Sequence, residues 1–263
     1  MAETGRLTQS SRRSLMGSVG LLRIALILAL LVIWEGLSRS GLLYRDVVPS
    51  LIAIAHALFD LLGHRAYYFH LGVTAGEIAL ALAVGGGLGL AVGILLGANR
   101  FLAKAYESFL YYLGPTPKII FFPVMIMWFG VDVQSKIALG ALSCFFPVAL
   151  SVAAGMRQID KVLIRVGKSF RAKTWQMVTK VYLPAMRQPV INGLRLGFGV
   201  ALIGTLLAET KLSNKGIGFL IVNAYSTFDM PRMYAMLIVL FALAIAVNAL
   251  IGRLGGLHSI RKS

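Results

Sequence analysis

The sequence predicts an all-α membrane protein: a polytopic helical bundle of about six transmembrane helices, with an interfacial helix on the outer side and a long basic helical loop inside. Three observations predict it. Hydrophobic residues make up 58% of the 263 and charged residues only 14%, with a mean hydropathy of +0.80, which leaves too little polar surface to cover a globule in water. Charge-free runs cover Ile78–Ala98, Ile137–Met156 and Met233–Gly252, each about 20 residues and so about 30 Å of helix, enough to cross a hydrocarbon core. Finally, 18 of the 26 Lys and Arg fall on one side of the spans and seven on the other, with Lys118 on neither. That is the positive-inside asymmetry, and it places both termini in the cytoplasm.

In chain order, residues 1–18 form an inner tail, residues 19–254 a single transmembrane domain and residues 255–263 a second inner tail. The spans fall at about 19–37, 76–98, 109–131, 137–156, 188–208 and 233–252. The first tolerates Arg23 and Glu35 because both lie near its ends. Ser11-Arg12-Arg13-Ser14-Leu15 resembles a twin-arginine export signal, but no small-residue cleavage site follows and the apolar stretch is long enough to stay as an anchor. Between the first two spans, Leu51, Ala55, Leu58 and Leu62 share one helical face with Ser50 placed to cap. At about 20 Å this helix is too short to cross and lies along the outer interface.

The second span carries Gly85, Gly89, Gly93 and Gly97 on one face. Lipid tails are as apolar as leucine, so helices in a bilayer associate by close approach, and a glycine stripe permits it, with a partner helix in the same chain preferred over one in a second subunit. The third span contains Lys118, which either lines a path, pairs with Glu209 or snorkels to the interface. Arg195 lies near the inner end of the fifth span, within reach of the surface. Polar groups on the spans, Lys118, Ser143, Asn192, Thr205, Glu209, Asn223 and Asn248, are the candidate translocation-path residues, and each hydroxyl or amide equally suits helix–helix hydrogen bonding.

Several chemical classes are excluded. Gly167-Lys168-Ser169 has the tail of a phosphate-binding loop, but the required upstream glycine is Val162. His56, His64, His70 and His258 lack metal-ligand spacing, so no metal site is expected. No GxSxG, HExxH or carboxylate pair on one helix face stands out, so no catalytic residue is expected. The lone Cys144 excludes an intramolecular disulfide. The net charge of +16 is topological, and no basic-aromatic module for nucleic acid accompanies it.

What remains is the polar break from Arg157 to Arg187. It carries eight cations and one acid, Asp160, with Val162, Ile164, Val166 and Phe170 interspersed. At 31 residues it far exceeds the usual connection of about 2 to 8 between bundle helices, and it is helix-forming. Such a segment is built to be docked against.

Val166 to Gln176, then Val181-Tyr182-Leu183-Pro184-Ala185, Gly193-Leu194-Arg195-Leu196-Gly197 and Ala208-Glu209 resemble the signature of permease subunits of type I ABC importers. The branch is that moving nitrate, sulfonates, taurine, bicarbonate or pyrimidine precursors. The likeness runs from Pro49 to Leu254 and includes Pro115-Thr116-Pro117-Lys118, Trp128-Phe129-Gly130 and Gly216-Ile217-Gly218. Anchored on Leu183-Pro184, the family's loop signature places its aliphatic at Val181 and its glycine at position 171. There the chain has Arg171, and the Glu-Ala-Ala positions read Arg165, Val166 and Gly167. An arginine at the glycine position either costs about 1 kcal/mol for a left-handed backbone or reshapes the turn.

The resemblance implies a transport subunit without its own ATPase site, in the bacterial inner membrane. Its partners would be a second permease chain, expected to be another copy, two ATP-binding subunits carrying ATP and Mg, an extracytoplasmic solute-binding protein and membrane lipid. The loop would couple to the ATPase through Arg165, Gly167, Ser169, Phe170, Arg171, Ala172, Trp175, Leu183 and Pro184. The alternative is a secondary transporter or channel with no ATPase partner.

Overall fold

A computed structural model describes residues 4–41 and 47–256, with side chains described for residues 20–41 and 47–253. Arg45, His258, Arg261 and Lys262 lie outside the described residues, as does most of the inner tail expected at 255–263. Among the described residues the chain is helical throughout, without strands. Five helices are long and apolar enough to cross a membrane, and a bent pair brings the number to six if it counts as one span.

By contact the chain divides into two compact units, Met1–Gly63 with Ala224–Ala235, and His64–Asn223 with Met236–Ser263. The first holds α1 (Thr4–Ser40) and α2 (Leu51–Gly63). The Trp34 indole donates to the Pro49 carbonyl at 3.0 Å and the Leu51 amide donates to Glu35 at 3.0 Å. The Glu35 carboxylate thus satisfies an otherwise orphan amide at the start of α2. Ser50 accepts from the Ala53 amide at 3.2 Å and so caps α2. The buried face of α2 is rotated from the expected one: Ile54 and Leu61 are buried, Leu51 and Leu58 half-buried, and Ala55 and Leu62 exposed. The periodicity identified the helix, but with apolar residues nearly all round it could not choose the face.

The second unit is built on α3 (Arg65–Ala98), α6 (Val133–Arg157) and α10 (Arg187–Lys211). The four stripe glycines of α3 face α6. A Cβ at Gly89 would meet Phe145 O at 2.8 Å and one at Gly93 would meet Val152 Cβ at 2.6 Å, while at Gly85 it would strike the Ala141 carbonyl and at Gly97 the Met156 side chain. The contacts rise in number together along both helices, so α3 and α6 run parallel. Gly193, Gly197 and Gly204 of α10 meet Ser151, Val148 and Ser143, so α10 runs antiparallel to α6. Backbones at this separation exchange dispersion over their whole length, which in lipid is the main attraction available.

Between α3 and α6 the chain does not cross as one straight helix. α4 (Arg100–Leu113) begins at Asn99, whose side chain accepts from the Phe101 and Leu102 amides at 2.9 and 3.3 Å. A 3₁₀ turn (Lys118–Phe121) and α5 (Phe122–Phe129) follow, bent by 93° from α4. The segment expected to cross at 109–131 is therefore not one straight helix but breaks between α4 and α5. Pro115 and Pro117 explain the break, because neither has an amide with which to continue the helical hydrogen-bond ladder. The segment 157–187 follows α6, and α11 (Ile217–Ser226) and α12 (Met230–Gly256) complete the chain.

Candidate functional site

The basic segment folds as two helical arms around one tight turn. α7 (Lys161–Ser169) starts at Asp160, whose side chain accepts from the Val162 amide at 2.8 Å. It stops with the Arg171 amide donating to Lys168 O at 2.9 Å and the Ala172 amide to Gly167 O at 3.1 Å. This pair of bonds is the Schellman ending, and its left-handed residue is Arg171 at φ 49. Of the two outcomes open to the arginine, the structure takes the left-handed backbone. The second arm runs through α8 (Thr174–Gln176), a π-helical turn (Met177–Tyr182) and α9 (Leu183–Ala185), with the Lys173 amide donating to Gln176 Oε1 at 2.8 Å.

Gly167 holds the arms together. A Cβ there would meet Met177 Sδ at 2.5 Å, so glycine lets the thioether lie against α7 without shifting. Both ends of the segment are tied to the bundle. Ile159 and Met186 are buried with Val148, Val152 and Met156 of α6, and Ile164, Tyr182 and Leu183 pack against them. Anchored in this way, the turn presents Phe170 and Trp175 to solvent, 83% and 60% exposed. Leu163, Val166, Gly167, Phe170, Val181 and Pro184 line a largely apolar groove of about 600 Å³ beside them. Arg165, Ser169 and Arg171 are also exposed and Ala172 half-buried, with Ser169 Oγ donating to Arg165 O at 3.0 Å.

The expected path residues do not form one cluster. Lys118 sits at the break of the third span, where its ammonium donates to Leu113 O at 3.0 Å and to Gly114 O and lies 4.8 Å from the centre of the Phe146 ring. It adds a charged donor to carbonyls at the end of α4, where Leu113 O also accepts from the Thr116 amide at 3.3 Å and its hydroxyl at 2.6 Å. Asn192 is exposed on α10. Ser143, Thr205 and Glu209 are buried between helices at 3%, 0% and 1% exposure. Ser143 Oγ donates to Leu139 O at 2.7 Å. Arg195 Nε donates to Asn248 at 3.0 Å, joining α10 to α12.

Glu209 belongs to a group that sequence reasoning did not assemble. It accepts from the Thr74 hydroxyl at 2.6 Å and from the Gly218 amide at 2.6 Å, while Thr74 Oγ1 accepts from the Ile217 amide at 2.8 Å and His70 Nδ1 from the Gly216 amide at 3.1 Å. Glu77 and Lys136, each 2% exposed, lie in the same region. By sequence Lys136 counted as an outer cation; it lies in the first turn of α6, buried, with its ammonium folded back on Val131 O at 2.8 Å and Asp132 O at 3.1 Å. The signal for Glu77 was available: a carboxylate adjoining a charge-free run, one turn from a threonine, is costly in a membrane unless partnered.

Comparison with known proteins bears on this architecture of spans and anchored loop. SsuC of Bacillus subtilis, named for aliphatic sulfonates transport as a permease, is 33% identical over 220 residues, covering 84% of this chain and 79% of that one. The taurine transport system permease TauC of Escherichia coli is 28% identical over 246 residues, 90% of each chain. A chain from the MetNI methionine ABC transporter, solved in inward-facing conformations, superposes with a TM-score of 0.60 at 20% identity, over 75% of this chain and 96% of that one. The likeness extends through the stripe, the broken span and the whole anchored loop: residues 85–258 match the binding-protein-dependent transport system inner membrane component, and the chain belongs to that family of ABC transporter permeases.

Proposed function

We propose that two copies of this chain form the membrane path of an ATP-driven importer for a small solute with an anionic or polar head, and that residues 157–187 couple the path to two ATPase subunits. Cofactor chemistry is assigned to those partners, with ATP and Mg on them and none on this chain. A binding protein delivers solute at the end of the bundle opposite the loop. Both termini then face the cytoplasm, in keeping with the excess of cations on that side.

The observation that carries the coupling is mechanical. The segment is pinned at both ends to α6 and α10 yet exposes Phe170 at its turn. A body docked on that turn can displace it only by moving the helices behind it, which converts ATPase closure into a change of the path. The cations around Phe170 suit an acidic docking surface. Relatives named for aliphatic sulfonates and taurine support a solute with an anionic head.

The test is co-purification of the ATPase subunit from membranes together with binding-protein-dependent uptake. Phe170→Asp should leave the permease in the membrane, release the ATPase and abolish uptake. A variant that still assembled and transported normally would remove the docking proposal. Uptake driven by an ion gradient without an ATPase would replace it with a secondary transporter.

A further inference from the structure

Gly216, Ile217 and Gly218, at the start of α11, are buried. Their amides belong to the first turn of a helix, where no intrahelical carbonyl can take them. Capping is ordinarily local, by a Ser, Thr, Asp or Asn just ahead of the helix. Here Ser213 is occupied by Lys215, donating to its carbonyl at 2.6 Å and accepting from its amide at 3.3 Å. The next three amides donate to side chains of α3 and α10: Gly216 to His70 Nδ1 at 3.1 Å, Ile217 to Thr74 Oγ1 at 2.8 Å and Gly218 to Glu209 at 2.6 Å. The half-buried His70 ring also stacks on Phe219, with centroids 6.0 Å and planes 23° apart, and Phe69 stands edge-on to it at 5.4 Å.

We propose that His70 is an acid-sensitive latch on this turn: neutral, it holds the Gly216 amide through Nδ1, and on protonation it lets go. The three acceptors respond differently to acid. A threonine hydroxyl does not titrate in this range, and a carboxyl group that gains a proton keeps a carbonyl oxygen that accepts. Nδ1 has a single lone pair, and a proton there makes it a donor facing the donor of Gly216. Bond and proton exclude each other, so the released turn binds the proton more readily than the capped one. Acid therefore shifts the balance toward release and neutral pH toward the cap. A positive ring at a helix N-terminus is also opposed by the helix dipole. The released amide is buried, where lacking an acceptor is costly.

Among the described residues, the charges around His70 do not hold it in one state. Glu77 lies two turns further along α3, and Glu209 of α10 accepts from Thr74, one turn from His70. Asp132 and Lys136 stand at the start of α6, and Lys211 and Lys215 precede α11, whose stretch from Ile217 to Asn223 carries no charge. Asp132 is met by Lys215 at 3.7 Å, Lys136 by backbone carbonyls and Glu209 by two donors. Neither sign dominates. The turn lies at the end of the bundle opposite the basic loop, the end that receives solute under the function proposed above. On that function, acid outside would loosen the solute-receiving end.

Nitrogen-15 NMR of the histidine-labelled full chain in lipid bilayers, with amide hydrogen exchange read as protection factors, tests the latch without transport. At about pH 7.5 His70 should be the neutral tautomer with Nδ1 bare, and at about pH 5 both ring nitrogens should carry protons. Over that range protection of the Gly216 amide should fall about tenfold, with Ile217 and Gly218 less affected. His70→Asn should keep the Gly216 amide protected at both pH values, because its Oδ1 lies as many bonds from the backbone as Nδ1 and does not titrate. His70→Leu should leave that amide weakly protected at both. A protonated Nδ1 at neutral pH, Gly216 protection that does not change with pH, or a pH step that survives in His70→Asn would overturn the proposal. Should a variant fail to fold, the wild-type spectrum and exchange decide it. None of these measurements involves uptake, so failure of the importer reading would leave their outcome standing.

Discussion

Arg157 and Glu107 form a bidentate ion pair, with guanidinium nitrogens 2.6 and 2.7 Å from the two carboxylate oxygens. It joins the last residue of α6, where the basic segment begins, to the middle of α4 in the broken span. Glu107 is largely sheltered, at 15% side-chain exposure, whereas Arg157 is 42% exposed. The forked geometry is favourable, but water reaches the arginine and reduces what the pair contributes. Glu107→Ala should lower stability by about 1 kcal/mol. A double-mutant cycle with Arg157→Ala, read by denaturant unfolding in detergent, should give a coupling energy of about 0.5 to 1 kcal/mol. Additive single effects would show that the pair contributes nothing.

The glycine stripe predicts a contrast within one helix. Gly85→Ala places a methyl against the Ala141 carbonyl and Cys144 Sγ, whereas Gly87→Ala meets nothing within 4 Å. The first should destabilise by about 1 to 3 kcal/mol, as overpacking does. The second should be neutral or slightly stabilising, since alanine is the better helix former. Unfolding of the two purified variants side by side checks it, and equal stabilities would mean that α3 and α6 separate easily at that level.

Arg171 occupies the left-handed position of a Schellman ending, at φ 49, which glycine adopts without cost. Arg171→Gly should therefore stabilise the turn by about 1 kcal/mol. Reduced hydrogen exchange at the Arg171 and Ala172 amides is the direct measurement. Faster exchange after the substitution would show that the arginine side chain, not the backbone, holds the turn.

Lys118 has three donors, and carbonyls at the break take two of them. If the third meets the solute's anionic head, Lys118→Met should reduce binding-protein-dependent uptake about tenfold, the equivalent of one charge-assisted hydrogen bond. Unchanged uptake would confine Lys118 to tying off α4.

Much of the loop was legible in the sequence because its determinants are local. Val162, Ile164, Val166 and Phe170 interspersed among an excess of cations act within a few residues, and they marked a helix-forming segment built for docking, whereas the two arms closing at Arg171 came only from the fold. The broken span was half legible. The expectation took 109–131 as one crossing although Pro115 and Pro117 lie within it, and the 93° bend depends on how α4 and α5 seat against α6, which no local pattern encodes.

By itself, the sequence determined the membrane setting, the approximate crossings, the stripe and the basic segment, because hydropathy and helical spacing are additive along the chain. The tertiary structure alone decided the charged interior. Thr74 and Glu209 are 135 residues apart and bonded at 2.6 Å, and Lys136, an outer cation by position, is 2% exposed. The state of a charge in lipid is set by the partners across the helix interface, since an unpaired one costs several kcal/mol, and those partners exist only once α3, α6 and α10 have met.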